Sequence, residues 1–481
     1  MVQEVPQTSC FEEGSLFGVA SGLFMEVIEE TVVKMLCHGL SMRQVSPLAA
    51  TTKWSAVPLS ENQRLLRTVS KVKLWRVSVI NLGVKQEMFM LVKPLKVKHH
   101  SLTGRITYAL VYEAFLNVKR NRGAAGVDKQ SIAMFEANLE QNIDALMRDL
   151  KRRGRFLPKP LRRVYIDKGY GMFRPLGIPV VRDRVAQDVL RQLLEPLFEP
   201  LFHDNSCGFR PRRNCHQAID KVLDIWHGGF RFVLDADIKG FFDNIPHHII
   251  MTGLSNVVAD GNILDLIERF LKAGVLENGV FKPTNIGTPQ GGVISPLLAN
   301  IALNFLDWHL QDHGLRFVRY ADDFVVLYQS ETQAKEAMDI VDSFLTEQLG
   351  LELSPEKTHV TTFSEGFAFL GFDISSRSIK MRDKSIGKFK DKIRELTVRS
   401  HNLDEDCITR LNQVIRGTAN YFATPFSHNR TLFKNLDQWI RMRLRCMKYK
   451  RKWKTDNRRL RVRHLGNKGL LNLSGFYPKP A

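Results

Sequence analysis

Residues 315–328 place two adjacent acids, Asp322 and Asp323, between two runs of β-branched and aromatic residues. Such runs on either side of a short break predict a β-hairpin with the acids at its tip. Two like charges on a tight turn are costly unless a cation lies beside them, and hard divalent cations take carboxylate oxygens. The stretch alone leaves two interpretations open, a metal site and an ordinary solvated Asp-Asp turn.

A third acid is predicted at the end of another apolar run, residues 231–238, which is typical of a buried strand. A carboxylate at the end of a buried strand is costly unless it is paired or bound to a metal. Asp235 and Asp237 fall on the same face because side chains alternate along a strand. Spacing alone therefore does not choose between them.

The charge balance indicates a polyanionic partner. Lys and Arg number 70 against 50 acids in 481 residues, giving a formal net charge of +20. Nucleic acid is the commonest partner of such a chain, and a membrane surface is the alternative. The sequence offers no basic amphipathic anchor, and the apolar run 16–25 is too short to span a bilayer. Six scattered cysteines without a Cys-x-x-Cys pair favour a soluble intracellular protein.

The order of predicted elements separates a mixed α/β part from a basic helical part, with a boundary near residue 380. Residues 1–100 form an N-terminal extension of unknown role, with one helix predicted at 24–36. Helices are predicted at 107–120, 131–153, 183–201, 216–226, 263–271, 297–310 and 332–349, a hairpin at 162–179, and short strands at 353–363 and 367–374. Amphipathic basic helices are predicted at 384–399, 404–423 and 432–448.

Three sequence blocks are informative: Asp237-Ile-Lys-Gly-Phe-Phe242, Pro289-Gln-Gly-Gly-Val-Ile-Ser-Pro296 and Tyr320-Ala-Asp-Asp323. They resemble blocks that reverse transcriptases carry in the same order. The first block begins at Asp237, so the resemblance selects Asp237 over Asp235. The surrounding blocks resemble those of the group II intron-encoded reverse transcriptase/maturases, and the resemblance runs from about residue 105 to 470. These blocks are Gly123-Ala-Ala-Gly-Val-Asp128, Arg174-Pro-Leu-Gly-Ile-Pro179, Gly208-Phe-Arg-Pro211, Leu353-Ser-Pro-Glu-Lys-Thr358 and Phe369-Leu-Gly-Phe372.

The resemblance implies an α+β fold of the right-hand polymerase type, with antiparallel sheet in the fingers and palm. Fingers are expected at 101–230, a palm with the catalytic acids at 231–380, and a helical thumb/maturase domain that binds RNA at 381–481. The implied activity is RNA-directed DNA synthesis by two-metal phosphoryl transfer, coupled to binding of the protein's own intron RNA and help in its splicing.

The implied catalytic residues are Asp237, Asp322 and Asp323. Two Mg²⁺ ions, for which Mn²⁺ is a possible substitute, would be held by these acids and by the main-chain carbonyl of Ile238. Asp322 is expected to be the direct ligand and Asp323 a supporting acid, since adjacent strand residues face opposite ways.

Further residues are implied to bind the incoming dNTP. Phe242 stands where the family carries an aromatic that excludes a ribose 2′-hydroxyl; the alternative is a core aromatic beside Phe241. Gln290 belongs to a glycine loop expected to lie along the nucleotide. Lys168 and Arg174 resemble fingers residues that grip the triphosphate, although a solvated hairpin tip is the alternative. Lys357 is a weaker candidate for a contact in the primer-template or nucleotide region.

The C-terminal helices combine basic faces with interleaved aromatics, which suits structured RNA. A merely solvated charged face is the alternative. The expected partners are an RNA template, a DNA primer and group II intron RNA, with no membrane, and the sequence leaves the oligomeric state open. The candidate RNA-binding residues are Arg441, Arg443, Arg445, Lys452 and Arg459.

Two rival functions remain open at this point. One is a domesticated reverse transcriptase without an intron, whether CRISPR-linked, retron-like or a repair polymerase. The other is a splicing-only RNA-binding maturase, against which the intact acids argue. The sequence carries no Cys-pair or His-Asn-His-type endonuclease module, so mobility would be expected to depend on nicks or replication forks. A bacterial cytoplasmic or an organellar location is expected.

Overall fold

The structure is a computed structural model that describes residues 98–169, 172–288 and 291–477, apart from the side chains at positions 168, 169 and 172. The predicted helix at 24–36, nearly all of the N-terminal extension, and Gln290 therefore lie outside the described residues. The chain order of the described elements alternates helices and short strands up to Met381 and is helical from Asp383 onward.

A four-stranded antiparallel sheet forms the centre of the fold, with strand order β6-β7-β3-β8. Its strands are β3 (Phe232–Asp237), β6 (Arg316–Tyr320), β7 (Asp323–Tyr328) and β8 (His359–Thr362). The predicted hairpin at 315–328 is thus confirmed as β6 and β7, and β3 pairs with β7 over its whole length. Apart from its first residue, β7 is entirely aromatic, Val or Leu, and β3 is apolar apart from Asp235 and Asp237, as expected for strands covered on both faces.

Alternating side chains of this sheet enter two separate hydrophobic cores. Leu234, Phe324 and Val326 pack into one core with α7 (His247–Val257) and α9 (Ser295–Asp312). Val233, Val325 and Leu327 face the other way and enter a core with the C-terminal helices. The period of two along each strand therefore decides which residues face each side.

A second sheet has the strand order β2-β1-β4-β5, and its strands β4 and β5 lie between β3 and β6 in the chain. The predicted hairpin at 162–179 is confirmed as β1 (Leu161–Gly169) and β2 (Met172–Ile178), and β1 also pairs with β4 (Val275–Glu277), which continues to β5 (Val280–Lys282). The helices in this part of the chain are α1 (Tyr108–Asn121), α2 (Ile132–Glu136), α3 (Leu139–Lys151), α4 (Val181–Phe198) and α5 (Cys215–His227), of which α5 packs into the second core. Short α6 (Phe241–Asn244) and α8 (Gly261–Leu271) complete the first core.

The C-terminal part begins with a three-stranded sheet and continues as helices. The strands β9 (Phe367–Phe369), β10 (Phe372–Ile374) and β11 (Ile379–Met381) have the order β11-β10-β9. The preceding helix is α10 (Glu331–Ser343), and the following ones are α11 (Asp383–Leu396), α12 (Glu405–Phe422), α13 (Arg430–Tyr449), α14 (Asp456–Arg459) and α15 (Val462–Asn467). The apolar faces of α11, α12, α13 and α15 share the second core with the central sheet, whereas α10 packs into the first core.

The strand predicted at 353–363 is shortened to β8 (His359–Thr362), and the helix predicted at 332–349 continues beyond Ser343 as a π-helix. Two further elements differ for local reasons. The predicted helix 131–153 is interrupted after Glu136, where Asn138 leaves the helical region at φ −123° and ψ 44°. The predicted strand 367–374 is a hairpin, because Leu370 and Gly371 both adopt positive φ and reverse the chain. The domain boundaries near 100, 230 and 380 stay predictions. Among the described residues, no helix is both long and apolar enough to cross a membrane.

Candidate active site

The central sheet brings the predicted acids together at one end of its second face. Asp235, Asp237 and Asp323 follow the same alternation as Val233 and Val325, so they belong to the face that the C-terminal helices cover. Asp237 is the direct cross-strand partner of Asp323. The sheet face is therefore apolar at one end and acidic at the other.

Asp322 reaches the same place from a turn and not from a strand. Tyr320 pairs with Asp323, which leaves Ala321 and Asp322 as a two-residue hairpin loop. Ala321 has a φ of 62°, as tight hairpin turns of this length require at their first position. The argument that adjacent strand residues face opposite ways therefore does not separate Asp322 from Asp323, and both line one cleft.

At this end of the sheet, the negative charge of the acids exceeds the positive charge of the basic groups near them. Burial, and after it the neighbouring carboxylates of Asp235, Asp322 and Asp237, raise the pKa of Asp323 to about 7. Burial also raises the pKa of Asp235 to about 6 and that of Asp322 above its usual range. Like charges held close in a partly buried site favour bound protons or bound cations.

Two basic side chains reach the acids from outside the sheet. The Lys357 Nζ lies 2.7 Å from Asp237 Oδ2, although the lysine side chain is 65% exposed. Arg174, an exposed residue of β2, lies close enough to lower the pKa of Asp322. A cation is thus already attracted to Asp237, and Arg174 of the β1-β2 hairpin faces the acids.

An open cleft of about 1300 Å³ separates the acidic end of the sheet from the C-terminal part. Its floor carries the four acids and Lys357. Its other side comes from the β9–β11 sheet and from the starts of α11 and α13, including Arg382, Asp383, Asn429 and Asn435. The cleft is wide and polar, as an extended charged polymer would need.

The acids suit a divalent cation whose remaining coordination positions are filled by water and by a bound substrate. Across the residues that the structure describes, no three His, Cys, Asp or Glu side chains form a ready-made metal site. Mg²⁺ commonly binds through one or two carboxylates together with water and substrate phosphates, so a preformed cage is not required. The raised pKa values and the Lys357 contact are the observations that favour a cation here.

Ile238 and Phe242 follow Asp237 directly. Ile238 is buried and forms an isolated bridge with Leu353, which fixes the backbone beside the acid. Gly240 adopts φ 55° and turns the chain into α6. There Phe241 is 2% exposed and enters the core, while Phe242 remains partly exposed. Phe242 also packs against the first core from its edge, so the sugar-pocket role and the core role of Phe242 both stay predictions.

The described residues on either side of Gln290 contact the Phe242–Asp243 backbone and the β1-β2 hairpin. The Thr288 amide donates to the Phe242 carbonyl over 2.7 Å, and a Cβ on Gly287 would stand 2.5 Å from the Asp243 carbonyl oxygen. On the far side, a Cβ on Gly291 would lie 2.6 Å from the Gly177 carbonyl oxygen of β2. Gln290 itself is outside the described residues, and Lys168 is placed only as a residue of β1.

A loop that spacing did not single out contacts both the acidic turn and Phe242. A Cβ on Gly208 would stand 2.2 Å from the Ala321 nitrogen, so only glycine lets the loop touch the turn. The next residue, Phe209, has φ 56° and is 48% exposed, and its ring meets that of Phe242 edge-on at 6.3 Å. Positive φ at an exposed aromatic was not readable from the sequence.

The candidate RNA-binding residues separate into two groups. The guanidinium of Arg443 donates to Thr397 at 2.9 and 3.0 Å, and Arg445 donates to the Leu460 carbonyl at 2.9 Å, so both brace the helical part. Arg441 lies 3.4 Å from Asn472. Lys452 and Arg459 are exposed, the latter 3.9 Å from Asp456. Their roles towards RNA stay predictions.

Comparisons with known proteins agree with this architecture. The reverse transcriptase (RNA-dependent DNA polymerase) family model matches residues 166–374, and the group II intron maturase-specific domain model matches residues 386–466. Protein YkfC of Escherichia coli is 33% identical over 284 residues, covering 51% of this chain and 74% of that protein. The group II intron-encoded protein LtrA of Lactococcus lactis is 31% identical over 424 residues, covering 66% and 69%.

Among solved structures, a telomerase of Candida albicans in complex with a telomeric RNA fragment is similar at a TM-score of 0.37 and 14% identity. The likeness covers 69% of this chain and 65% of that one, and it is too distant to add to the assignment.

The palm-type sheet with its acidic hairpin, together with the family match, makes this chain a reverse transcriptase, an RNA-directed DNA polymerase. Within that class, the chain belongs to the group II intron-encoded reverse transcriptase/maturases. The predicted α+β fold class and enzyme class are confirmed. Membership also implies a general dependence on divalent metal and binding of RNA.

Proposed function

We propose that this protein copies RNA into DNA at the acidic end of the central sheet, with Asp237, Asp322 and the Ile238 carbonyl as the groups that hold two Mg²⁺ ions. Asp323, the cross-strand neighbour of Asp237, supports the negative charge of the site. The single observation that carries the proposal is the meeting of four acids in one open cleft, where the pKa values of Asp235, Asp322 and Asp323 are raised.

When bound, the two ions supply an activated primer 3′-hydroxyl and neutralise charge on the departing pyrophosphate. The hydroxyl oxygen forms a bond to the α-phosphorus while the bond to pyrophosphate breaks, and the hydroxyl proton leaves to solvent. Arg174 lies near Asp322 and is proposed to grip the triphosphate together with Lys168 and Gln290. Phe242 is proposed to close the sugar pocket against a 2′-hydroxyl.

Lys357 is proposed to exchange partners during this cycle. Its ammonium neutralises Asp237 at 2.7 Å, and its exposed stem leaves it free to move to a phosphate when a cation takes its place. Such a mobile point charge suits a lysine better than an arginine.

The second half of the proposal is that the basic helical part binds group II intron RNA and assists its splicing. Exposed Lys452 and Arg459, and Trp453 at 63% exposure beneath the Arg451 guanidinium, offer phosphate contacts and a stacking surface. A CRISPR-linked, retron-like or repair enzyme would share the first half and lack the second. A catalytic RNA hairpin downstream of the gene would decide between them.

The test is primer extension on an RNA template with Mg²⁺, using the full chain and Asp322→Ala. We expect the wild type to extend and the variant to lose about a thousandfold or more in rate, as loss of a residue that stabilises the transition state commonly costs. Asp339→Ala, an exposed acid of α10, is the matched control and should extend normally. No extension by the wild type would refute the polymerase half.

Splicing of the flanking intron RNA tests the second half separately. Asp322→Ala should stimulate splicing as well as the wild type does, because the acid lies outside the basic helices. Splicing that does not respond to added protein at low salt would refute the maturase half alone.

A further inference from the structure

A buried ion pair lies directly beneath the acidic turn and takes no part in the chemistry above. Arg319 of β6 and Asp307 of α9 are both fully buried. The guanidinium meets the carboxylate through two parallel contacts, Nε to Oδ1 at 2.7 Å and Nη2 to Oδ2 at 2.5 Å. Burying two charges is expensive, so a pair of this kind adds little net stability over apolar residues of similar size.

The remaining donor of Arg319 is directed to the turn that carries Asp322. Nη1 donates to the Ala321 carbonyl at 2.8 Å and to Asn300 Oδ1 at 3.0 Å. The Ala321 carbonyl belongs to the peptide bond that leads into Asp322, so its direction fixes where that carboxylate starts. Since Ala321 already has positive φ, the turn adopts a conformation that its own sequence disfavours.

Asn300 extends the same network to the neighbouring loop. Its Nδ2 donates to the Gly208 carbonyl at 2.9 Å, and Gly208 packs against the Ala321 backbone. The backbone of Arg319 also exchanges bonds with this loop, accepting from Cys207 at 2.8 Å and donating to Asn205 at 2.9 Å. One helix, α9, thereby holds the turn through Arg319 and the loop through Asn300.

We propose that Arg319 is a positioning residue for the metal-binding turn, anchored by Asp307 and coupled by Asn300 to the 205–209 loop. The inference rests on the proposed function of Asp322. Planar guanidinium geometry is what this role requires, since a single group must meet a carboxylate with one edge and a carbonyl with the other. A lysine would keep the positive charge but could not donate to the Asp307 carboxylate and the Ala321 carbonyl at the same time.

The experiment compares Arg319→Lys with the double variant Arg319→Met/Asp307→Leu. The double variant removes both buried charges at once, so it is expected to fold with nearly wild-type thermal stability. Both variants should raise the Mg²⁺ concentration for half-maximal primer extension and lower the maximal rate, each by about tenfold or more, as small misplacements in active sites do. The Mg²⁺-induced rise in melting temperature should also shift to higher Mg²⁺, which needs no turnover.

The matched control is Arg182→Met, which removes an ion pair with Asp149 far from the turn in sequence. It should affect stability without changing the Mg²⁺ response. A folded double variant with an unchanged Mg²⁺ midpoint and rate would overturn the proposal.

If the double variant fails to fold, Asn300→Ala tests the proposal instead, because this substitution leaves the Arg319–Asp307 ion pair intact. We expect its Mg²⁺ midpoint to rise about threefold or more, and an unchanged midpoint would again overturn the proposal. Failure of the proposed function itself looks different. In that case the wild type neither extends primers nor gains a Mg²⁺-dependent melting shift that Asp322→Ala abolishes.

Discussion

At the scale of single residues, the acids illustrate how a site can oppose the stability of its own fold. Asp323 has a pKa of about 7 in the folded chain against an ordinary value of 3.8, chiefly because it is buried and then because three carboxylates surround it. A raised folded pKa means that the folded state holds its proton more tightly than the unfolded state. The cost of ionising Asp323 is therefore absent at low pH, grows above about pH 4 and is complete above about pH 7.

Asp323→Asn should consequently stabilise the metal-free protein at pH 8 while it lowers primer extension. We expect a gain on the order of 1 kcal/mol or more, seen as a rise of a few degrees in melting temperature in EDTA. The gain should shrink towards pH 5, where wild-type Asp323 is already protonated. Asp339→Asn is the control for amide substitution at an exposed site, and equal shifts at both pH values would contradict the argument.

Phe242 provides a second prediction at the residue scale. Phe242→Val should raise the use of ribonucleotides relative to deoxyribonucleotides by about tenfold to a hundredfold, because a smaller side chain leaves room for a 2′-hydroxyl. Competitive primer extension with matched dNTP and rNTP pairs measures this ratio. Phe281→Val, an exposed aromatic of β5, is the control. An unchanged ratio in Phe242→Val would refute the sugar-pocket role.

At the scale of elements, the acidic turn is defined by what packs against it as much as by its own strands. The 205–209 loop approaches so closely that a methyl group on Gly208 has no room beside Ala321. Hydrogen bonds from Arg319 and Asn300 further connect the turn and the loop to helix α9.

Gly208→Ala should displace this turn. We expect a loss of about 1–3 kcal/mol in the free energy of unfolding from overpacking, and a fall in primer extension beyond the loss of folded protein. Urea unfolding and extension rates per folded molecule separate the two effects. Gly417→Ala in α12, where a Cβ meets nothing within 4 Å, should instead stabilise the chain by up to about 1 kcal/mol. Normal activity in Gly208→Ala would show that the close approach is dispensable.

Elements that depend on local pattern were predictable, and those that depend on tertiary contact were not. The β6-β7 hairpin was predicted from apolar residues on either side of two acids. The pairing of Asp237 with Asp323 agrees with the resemblance to reverse transcriptases, which implied that both acids belong to one site. By contrast, Asp322 and Asp323 were placed together at the hairpin tip and expected to face opposite ways, whereas Asp322 lies in the two-residue loop and Asp323 begins β7. The contacts of Arg319 with Asp307 and of Phe209 with Phe242 join segments distant in sequence, and no spacing rule anticipates them.

At the scale of the whole molecule, the positive charge is concentrated on the part of the chain that follows the polymerase sheets. Part of it is structural, as with Arg443 and Arg445, whose guanidinium groups satisfy carbonyl oxygens of the protein. Exposed residues such as Lys452 and Arg459 are available for a polyanion.

Lys452→Ala with Arg459→Ala should weaken binding of intron RNA and reduce its salt dependence, by about 0.7–0.9 in slope for each phosphate that is no longer neutralised. Affinities measured over a range of KCl concentrations give the slope. Primer extension on a short template should change little. Lys335→Ala in α10 removes one positive charge from an exposed site and is the control. The same slope in the double variant as in wild type would show that these residues are merely solvated.

The acids at the end of the sheet have an evolutionary consequence as well. Their burial penalises the folded chain, whereas the C-terminal core packs against the apolar end of the same sheet face and does not need them. Loss of these acids is therefore expected to leave the C-terminal core folded and to stabilise the metal-free chain. A relative that no longer copied RNA would face no stability barrier to losing them.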